Sequence, residues 1–407
     1  MIQMLRLAFR NLGRNRRRSF FSALAMGLAL ALLLVMASFI EGEMMSAVES
    51  TIGLQSGHLQ VRSANYNEAR TSLKWEDLIE NPEQVAAPIA SLAPVTAATP
   101  RLYASGFITT RQEAAGVRVL GIDPASAANA PYRDGMLEGA FISAEDRQGV
   151  LIGHTLARRL DLATGDSVNL SVNTSSGDVD EQAFIIRGIF STGTSGFDGL
   201  TVLLPLAKAQ AFTGAENRAS SVFVLLKDTG QTESVLAAIQ APGYQVLTWQ
   251  DMNEMLIQIE QLSGSYMGFF YLIVLGIAAT VIINTQIMSV YERTREIGIL
   301  SAIGMRGRRL MAIFLTECGL LAVGGIVLGL IVGGIAVAYL TRYGFPMDIE
   351  SFGITGMLFS DTIYTKLTVQ DALQLIAMTF IVTLLAGVYP AVLAARMEPV
   401  AALRAEK

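Results

Sequence analysis

The chain has 407 residues, of which 52% are hydrophobic and 16% charged, and its formal net charge is −5. This composition is too apolar for an ordinary soluble protein of the same length and excludes that class. The net charge is a sum over basic and acidic segments of the chain. It gives no indication of nucleic-acid binding, and no nucleic-acid partner is expected.

Four apolar runs are each long enough to cross a hydrocarbon core of about 30 Å, which takes roughly 20 helical residues. We predict membrane-spanning helices at residues 19–41, 262–290, 310–341 and 372–395. A basic stretch precedes the first run. That run is longer than a signal peptide and lacks a small-residue cleavage site, so we expect it to remain in the mature protein.

Charge is distributed unequally among the segments between these runs. Residues 1–18 hold six arginines and no acidic residue, whereas residues 41–265 hold 14 basic and 26 acidic residues. The positive-inside rule therefore predicts that both termini are cytosolic, and the basic segments are expected to attract anionic membrane lipid. The expected segments are a cytosolic amphipathic helix at 1–18, an extracytoplasmic domain at 42–261, a cytosolic coupling segment at 291–309, an extracytoplasmic loop at 342–371 and a cytosolic tail at 396–407.

The large domain between the first two spans is predicted to be mixed α/β. Seven short runs of aliphatic and β-branched residues, bounded by Gly, Asn, Asp and Ser, predict strands: GHLQVRS, VRVLGI, GVLIG, SVNLSV, AFIIRGIF, LTVLLPL and SVFVLLK. Helices are predicted at Pro82 to Ser91, His154 to Leu160, Leu206 to Thr213 and Thr232 to Ile239. The only cysteine, Cys318, lies in the third span, so the domain has no disulfide.

Helical periodicity continues beyond the first span and starts before the second. Apolar residues recur at three- and four-residue spacing on both sides of the domain. This pattern predicts either a helical stalk that carries the domain away from the membrane or two amphipathic helices packed beneath it. The predicted stalk residues are Ile40, Met44, Val48, Met252, Met255, Leu256, Ile259 and Leu262.

Small residues recur every four positions in two of the spans. The third span contains Gly325, Gly329 and Gly333, and the first contains Ala23, Gly27 and Ala31. Such spacing lets helix backbones approach closely within a membrane, so we predict helix packing at these glycines. The alternative is the ordinary abundance of Gly and Ala in apolar spans.

Residues that could carry chemistry are scarce. A phosphate-binding P-loop needs a Gly-Lys pair, and the sequence contains none. His58 and His154 lie far apart without metal-ligand spacing, so each is interpreted as an ordinary structural or surface histidine and no metal site is predicted. We therefore expect a chain that is not an enzyme and that binds no cofactor of its own.

Glu317 is the one charged residue within the apolar interior of the four runs. Carboxylates at such positions are rare and are usually paired or protonated. Two interpretations remain open. Glu317 pairs with an arginine near the cytosolic surface and ties the third span to the segment before it, or it is a protonated or snorkelling glutamate in a helix bundle.

The segment from Glu292 to Gly304, ERTREIGILSAIG, is charged and then apolar, and it lies between two spans. Ile297, Leu300 and Ile303 recur at three-residue spacing. The pattern predicts a helix along the inner membrane surface whose charges face the cytosol and are available to a partner. The alternative is an ordinary amphipathic turn at the interface.

The sequence ERTREIGILSAIGMRGRRL at 292–310 resembles the coupling segment of the FtsX-like permeases, the ABC-transporter branch that includes macrolide exporters and the lipoprotein-releasing complex. The order of spans and domain, the arginine-rich start and the glycine-rich third span are also similar. The ending YPAVLAARMEPVAALR resembles the family's at Tyr389, Pro390, Ala391, Ala395, Pro399, Ala402, Leu403 and Arg404. Ser301 departs from the family, which commonly has a basic residue there.

This resemblance implies a type VII ABC permease in a bacterial inner membrane, with an α-helical membrane part of four spans. It implies a separate ATPase subunit with a Walker A motif, which binds ATP and Mg and docks on the coupling segment. It also implies assembly as a homodimer or as a heterodimer with a paralogous permease. The implied coupling residues are Glu292, Arg293, Arg295, Glu296, Ile297, Gly298, Leu300, Ala302 and Gly304.

The subfamily signals are mixed. GHLQV at 57–61, GIDP at 121–124 and the long loop from Tyr343 to Thr368 are similar to lipoprotein-releasing permeases, whereas ERTREIG is similar to macrolide exporters. The expected function is lipoprotein release from the outer leaflet of the inner membrane. The alternatives are efflux of a peptide or antibiotic and activation of an extracytoplasmic enzyme. Asn173 to Gln182 lacks the apolar hook with which one lipoprotein-releasing permease recruits a chaperone, so no chaperone site is carried over.

Overall fold

The computed structural model describes residues 2–67, 73–111, 113–347 and 358–398, with side chains from residue 6 onward. The chain divides into two compact units. The helical unit comprises Met1–Glu43, Ile259–Phe345 and Tyr364–Lys407, and the α/β unit comprises Met44–Gln258 and Pro346–Ile363. Part of the loop predicted at 342–371, and Pro399, Ala402, Leu403 and Arg404 of the predicted tail, lie outside the described residues.

The helices follow the chain from an amphipathic start to a long final helix. They are α1 (Ile2–Arg14), α2 (Arg16–Ser50), α3 (Pro82–Ala90), α4 (Ala130–Asp134), α5 (His154–Arg159), α6 (Ser195–Asp198), α7 (Leu206–Thr213), α8 (Thr232–Ala238), α9 (Trp249–Met252), α10 (Glu254–Glu292), α11 (Thr294–Ala302), α12 (Gly307–Tyr343) and α13 (Val369–Ala395). A π-helical turn, Thr51–Ser56, continues α2, and 3₁₀ turns lie at Trp75–Asp77, Ala127–Asn129 and Thr229–Gln231.

The strands lie almost entirely within the α/β unit. They are β1 (Leu59–Ser63), β2 (Ile79–Glu80), β3 (Val95–Thr109), β4 (Ala114–Ile122), β5 (Met136–Gly139), β6 (Gly149–Gly153), β7 (Ser167–Asn173), β8 (Val179–Phe190), β9 (Thr201–Pro205), β10 (Arg218–Ala219), β11 (Ser221–Leu226), β12 (Tyr244–Thr248), β13 (Phe345–Pro346) and β14 (Thr362–Ile363).

Four helices are long and apolar enough to cross a membrane within the described ranges. They are α2 with its π-helical turn (Arg16–Ser56), α10, α12 and α13. The α/β domain is inserted in the chain between the first two of them. The predicted fold class, an α-helical membrane protein with four spans and an α/β domain after the first, is confirmed.

Glycines of α12 lie against α2 within the helical unit. A Cβ added at Gly325 would lie 2.9 Å from the Met26 Cβ, and one added at Gly329 would lie 2.8 Å from the Gly27 carbonyl oxygen. At Gly333 it would lie 3.0 Å from the Ala31 Cα. Real Cβ atoms essentially never come within 3.0 Å of another atom, so Gly325 and Gly329 let the two backbones pack more closely than a larger residue would, and Gly333 lies at the limit of such contacts.

The main sheet of the α/β unit runs β12-β1-β11-β3-β4-β9-β6-β8-β5, and β7 pairs with both β3 and β8. Most neighbours are antiparallel, whereas β4 with β9 and β6 with β8 are parallel. Apolar residues of β4, β6, β8 and β9 form a core with α5 and α7. The side chains of β1, β11, α3 and α8 form a second core. This domain is therefore stabilised by its own buried apolar surface.

The seven predicted strands and four predicted helices of the domain are confirmed within a residue or a few at their ends. The longest strand, β3, was not predicted. In its sequence VTAATPRLYASGFIT the β-branched and aromatic residues are scattered among Pro100, small residues and Arg101, without the short aliphatic run that predicted the other strands. Pairing with β11, β4 and β7 forms it instead.

Candidate functional site at the connection between α10 and α12

The connection between α10 and α12 is a short helix with a turn at each end. Arg293 has φ −111° and ψ 14°, which ends α10 and starts α11. Gly304 has φ +96°, a conformation that L-residues with side chains rarely adopt, and it reverses the chain before α12. The predicted helix at Glu292 to Gly304 is thus confined to Thr294–Ala302.

Arg293 and Glu317 form an ion pair inside the helical unit. Their side chains are only 6% and 2% exposed, and Arg293 Nη1 lies 3.1 Å from Glu317 Oε1. Asn11 Nδ2 donates a hydrogen bond of 2.7 Å to the same oxygen, and Arg293 Nη2 donates to the Asn11 carbonyl oxygen at 3.0 Å. Pairing of Glu317 with an arginine is thereby confirmed, and the pair links α1, α11 and α12.

Two exposed ion pairs join the N-terminal helices to the same connection. Arg14 Nη1 lies 2.8 Å from Glu296 Oε1, and Arg18 Nη1 lies 2.9 Å from Glu292 Oε1. Asn15 Nδ2 also donates to Glu292, at 3.1 Å. These contacts were not predicted from the sequence, although the opposite charges of the arginine-rich start and of the two glutamates could have indicated them.

The predicted orientation of the connection is wrong at Arg293. This residue, expected to face the cytosol, is buried because its guanidinium neutralises Glu317. Ile303 lies beyond the end of α11 and is 80% exposed, so its place on an apolar face toward the membrane stays a prediction. Ile297 and Gly298 are buried, whereas Leu300, Ala302 and Gly304 are exposed. Arg295 is also exposed, and it has no ion pair among the described residues.

A cavity of about 340 Å³ lies between α1, α11 and α12 in the helical unit. Its wall is mainly apolar, with Leu7, Ile299, Leu300, Ile313 and Phe314, and the buried pair lies at its polar side.

The predicted stalk residues lie on three helices instead of two. Ile40, Met44 and Val48 follow one another on α2, and Met255, Leu256, Ile259 and Leu262 lie on α10. Met252 belongs to α9, so the prediction of one helix from Met252 onward is wrong. Asn253 (φ −129°, ψ 47°) separates the two helices because Thr248 and Asp251 form a capping box that starts α9 separately.

The two histidines lie apart from each other in the α/β unit, just before β1 and at the start of α5. Among the described residues, no group of three His, Cys, Asp or Glu side chains is placed to hold a metal ion. The His58 ring accepts a hydrogen bond from the Leu226 amide at 3.2 Å and contacts Thr229, and burial lowers its pKa. His58 therefore holds the end of β11 in place.

Comparison with known proteins gives two family matches. Residues 19–241 match the MacB-like periplasmic core domain, and residues 268–399 match the FtsX-like permease C-terminal region. The macrolide export ATP-binding/permease protein MacB of Rhodospirillum rubrum is 28% identical over 99% of this chain, which spans 60% of that protein's length. The lipoprotein-releasing system transmembrane protein LolE of Haemophilus influenzae is 24% identical over 93% of this chain and 92% of its own length.

One solved structure similar to the α/β part is the periplasmic region of MacB from Actinobacillus actinomycetemcomitans. It covers 52% of this chain and 97% of its own, with 14% sequence identity and a TM-score of 0.36.

Proposed function

We propose, from the premise that this chain belongs to the FtsX-like permease family with a MacB-like periplasmic core domain, that it couples ATP hydrolysis by a separate ABC ATPase to lipoprotein release. The chain is an ABC transporter permease of the type that includes the MacB, LolC and LolE proteins, and it is an inner-membrane protein. Its sequence contains no P-loop, so in this proposal ATP and Mg are bound by the partner subunit.

The proposed site of ATPase docking is the exposed face of α11 and the turn after it. The observation that carries the proposal is the buried contact between Arg293, Glu317 and Asn11. Because this contact joins α11 to α1 and α12, a displacement of α11 would be transmitted to both helices rather than absorbed locally. Arg295 and Glu296 are exposed beside it and supply charge for a partner surface.

We propose that a displacement of α11 is transmitted toward the α/β domain by the long membrane helices. α10 has 39 residues, which at about 1.5 Å per residue is roughly 58 Å, well beyond a hydrocarbon core of about 30 Å. The same helix therefore extends from the connection to the region where the α/β domain begins. In our proposal both termini and α11 are cytosolic, and the α/β domain acts on the lipoprotein on the extracytoplasmic side of the membrane.

Lipoprotein is the proposed cargo because the match to LolE extends over nearly the whole of both proteins. Macrolide or peptide efflux is the second candidate, favoured by the higher identity to the MacB of Rhodospirillum rubrum. The turn between β7 and β8, residues 174–178, is short and polar, so we propose no chaperone docking there. The working assembly is proposed to contain two permease copies, or one copy with a paralogue, and two ATPases.

The cargo is tested by purifying the permease with its ATPase and identifying bound molecules by mass spectrometry. We expect an acylated lipoprotein that is retained without nucleotide and is released on ATP addition. An ATPase variant that cannot hydrolyse ATP serves as the control and should retain the lipoprotein. A bound soluble peptide, or a macrolide that stimulates hydrolysis, would instead establish efflux.

A further inference from the structure

The junction between α1 and α2 contains a second cavity, of about 680 Å³ and open to solvent, which the proposed ATPase coupling does not use. Four successive or nearly successive arginines surround it. The lining residues are Gly13, Arg14, Asn15, Arg16, Arg17, Arg18 and Glu292. Its volume is in the range of small-molecule sites, about 300–1,000 Å³.

Two of these arginines have their charge neutralised, and two do not. Arg14 and Arg18 pair with Glu296 and Glu292. Arg16 donates from Nε to the Gly13 carbonyl oxygen, at 3.2 Å, which leaves its charge uncompensated. Arg17 is exposed and makes no side-chain hydrogen bond or ion pair within the described part of the chain. The cavity is therefore a concave surface with excess positive charge and free guanidinium donors.

The position of the cavity along the chain indicates what fills it. Arg16, Arg17 and Arg18 form the first turn of α2, and the apolar part of this membrane helix starts at Ser19. Residues at the polar end of a membrane helix lie at the depth of the lipid headgroups. The first amide groups of the 35-residue α2 also favour an anion there.

We propose that the α1–α2 cavity binds the phosphate of an acidic glycerophospholipid, with Arg16 and Arg17 as the principal donors. Guanidinium groups bind phosphate through paired, charge-assisted hydrogen bonds, which distinguish a defined site from diffuse attraction to the membrane surface. Both a lipid headgroup and free inorganic phosphate carry a phosphate group, and we assign the site to the lipid headgroup. The proposed site is formed by the junction of α1 and α2 with Glu292, and it does not depend on the identity of the cargo.

The test measures lipid binding to the full-length chain in detergent. Phosphatidylglycerol or phosphatidylcholine is titrated, and the lipid-bound fraction is quantified by native mass spectrometry. We expect one phosphatidylglycerol to bind with at least about tenfold preference over phosphatidylcholine. Arg16→Gln/Arg17→Gln should weaken phosphatidylglycerol binding by at least about tenfold, since each basic residue near an anionic surface contributes appreciably. Arg17→Gln alone, which removes no described contact, should weaken it several-fold.

The matched control is Arg308→Gln/Arg309→Gln, which removes two exposed adjacent arginines immediately before the third span. Neither residue lines the cavity. This variant should bind phosphatidylglycerol within twofold of the unmodified chain. An equal loss in both double variants would show general charge attraction and overturn the site. Displacement of the lipid by millimolar inorganic phosphate would show that the site is for free phosphate, which also overturns the proposal.

Discussion

Glu317 is a carboxylate within a membrane helix, and three separate parts of the chain meet at its side chain. A buried ion pair contributes little net stability compared with apolar residues, because desolvation offsets most of the attraction. Removing one partner is different, since it leaves an uncompensated charge in the interior. We therefore expect this contact to determine that α1, α11 and α12 pack next to one another, more than to add net stability.

We expect Arg293→Met to lower the free energy of unfolding by about 3–5 kcal/mol, because Glu317 then lacks its counter-ion. Arg293→Met/Glu317→Met should recover most of this loss. The measurement is denaturant or thermal unfolding of the purified chain in detergent. Arg14→Met, which breaks an ion pair between side chains that are both 54% exposed, is the control and should cost no more than about 1 kcal/mol. An effect of Arg293→Met as small as that of the control would contradict the argument.

Asp198 gives the α/β unit a pH dependence. Its carboxylate accepts hydrogen bonds from Ser191 and Thr192, but burial has the largest effect and raises its pKa to about 6. An unfolded aspartate titrates near 3.9, so the folded chain binds the proton more tightly. Protonation of Asp198 therefore stabilises the folded state. This contribution is fully present below about pH 4 and is lost as the pH rises through about 6.

We therefore expect Asp198→Asn to flatten the pH dependence of stability between pH 4 and 7 by about 2–3 kcal/mol, from a pKa difference of about two units. The measurement is the difference in unfolding free energy between the unmodified and variant chains across this range. The other titrating groups cancel in that difference. A constant difference from pH 4 to 7 would show that Asp198 has an ordinary pKa.

Among the elements, α2 and α12 depend on each other's small residues. We expect Gly329→Ala to destabilise the helical unit by about 1–3 kcal/mol, because the new methyl group would meet the Gly27 backbone, which cannot move aside easily. Gly334→Ala lies on the same helix with no atom within 4 Å of the added Cβ, so it should be neutral or slightly stabilising. Thermal unfolding of both variants in detergent measures the contrast, and equal Tm values would refute close packing at Gly329.

The apolar residues at the start of α10 lead to a prediction about transport. Ile259→Asp and Met255→Asp place a charge on the face of the predicted stalk, and we expect each to abolish lipoprotein release while the ATPase stays bound. Release from proteoliposomes and co-purification of the ATPase are the two measurements. Gln258→Asp, an exposed neighbour on the same helix, is the control. Normal release by both stalk variants would remove these residues from the mechanism.

The elements of the α/β unit were predictable wherever local composition determines structure. β6 and β9 are short aliphatic runs bounded by turn residues, and both were predicted. β3 was not, because its strand-forming residues are scattered among Pro100 and small residues, and its pairing with β11, β4 and β7 depends on distant segments. The same limit applies to the site. Charge and spacing indicated the connection at 292–304, but the burial of Arg293 depends on Asn11 and Glu317, which are distant in sequence.

At the scale of the whole molecule, the connection around α11 is proposed to have two roles. It stabilises the helical unit, and it binds the ATPase. We expect Glu296→Lys to bind the ATPase but to lose transport-coupled stimulation of hydrolysis. ATPase rates of the reconstituted complex with and without cargo measure this. Glu398→Lys, an exposed charge reversal elsewhere in the helical unit, should leave stimulation unchanged. Full stimulation and transport in Glu296→Lys would exclude the segment as the coupling element.

A charge swap separates the two roles of Glu296. Arg14→Glu/Glu296→Arg restores the internal ion pair but reverses the charge that α11 presents to a partner. If the ATPase contacts Glu296 directly, the double variant stays uncoupled. Recovery of coupling in the swap would show that Glu296 acts only by holding α1.

The hydrogen bond from Asn11 to Glu317 joins residues 306 positions apart. At a synthesis rate of about 5–20 residues per second, Asn11 leaves the ribosome roughly 15 to 60 s before Glu317 is made. During that interval Met44–Gln258 of the α/β unit is synthesised, and α1 still lacks its contact with Glu317. The N-terminal helix is thus the first element to be made, but its contact with Glu317 cannot form until α12 has been synthesised.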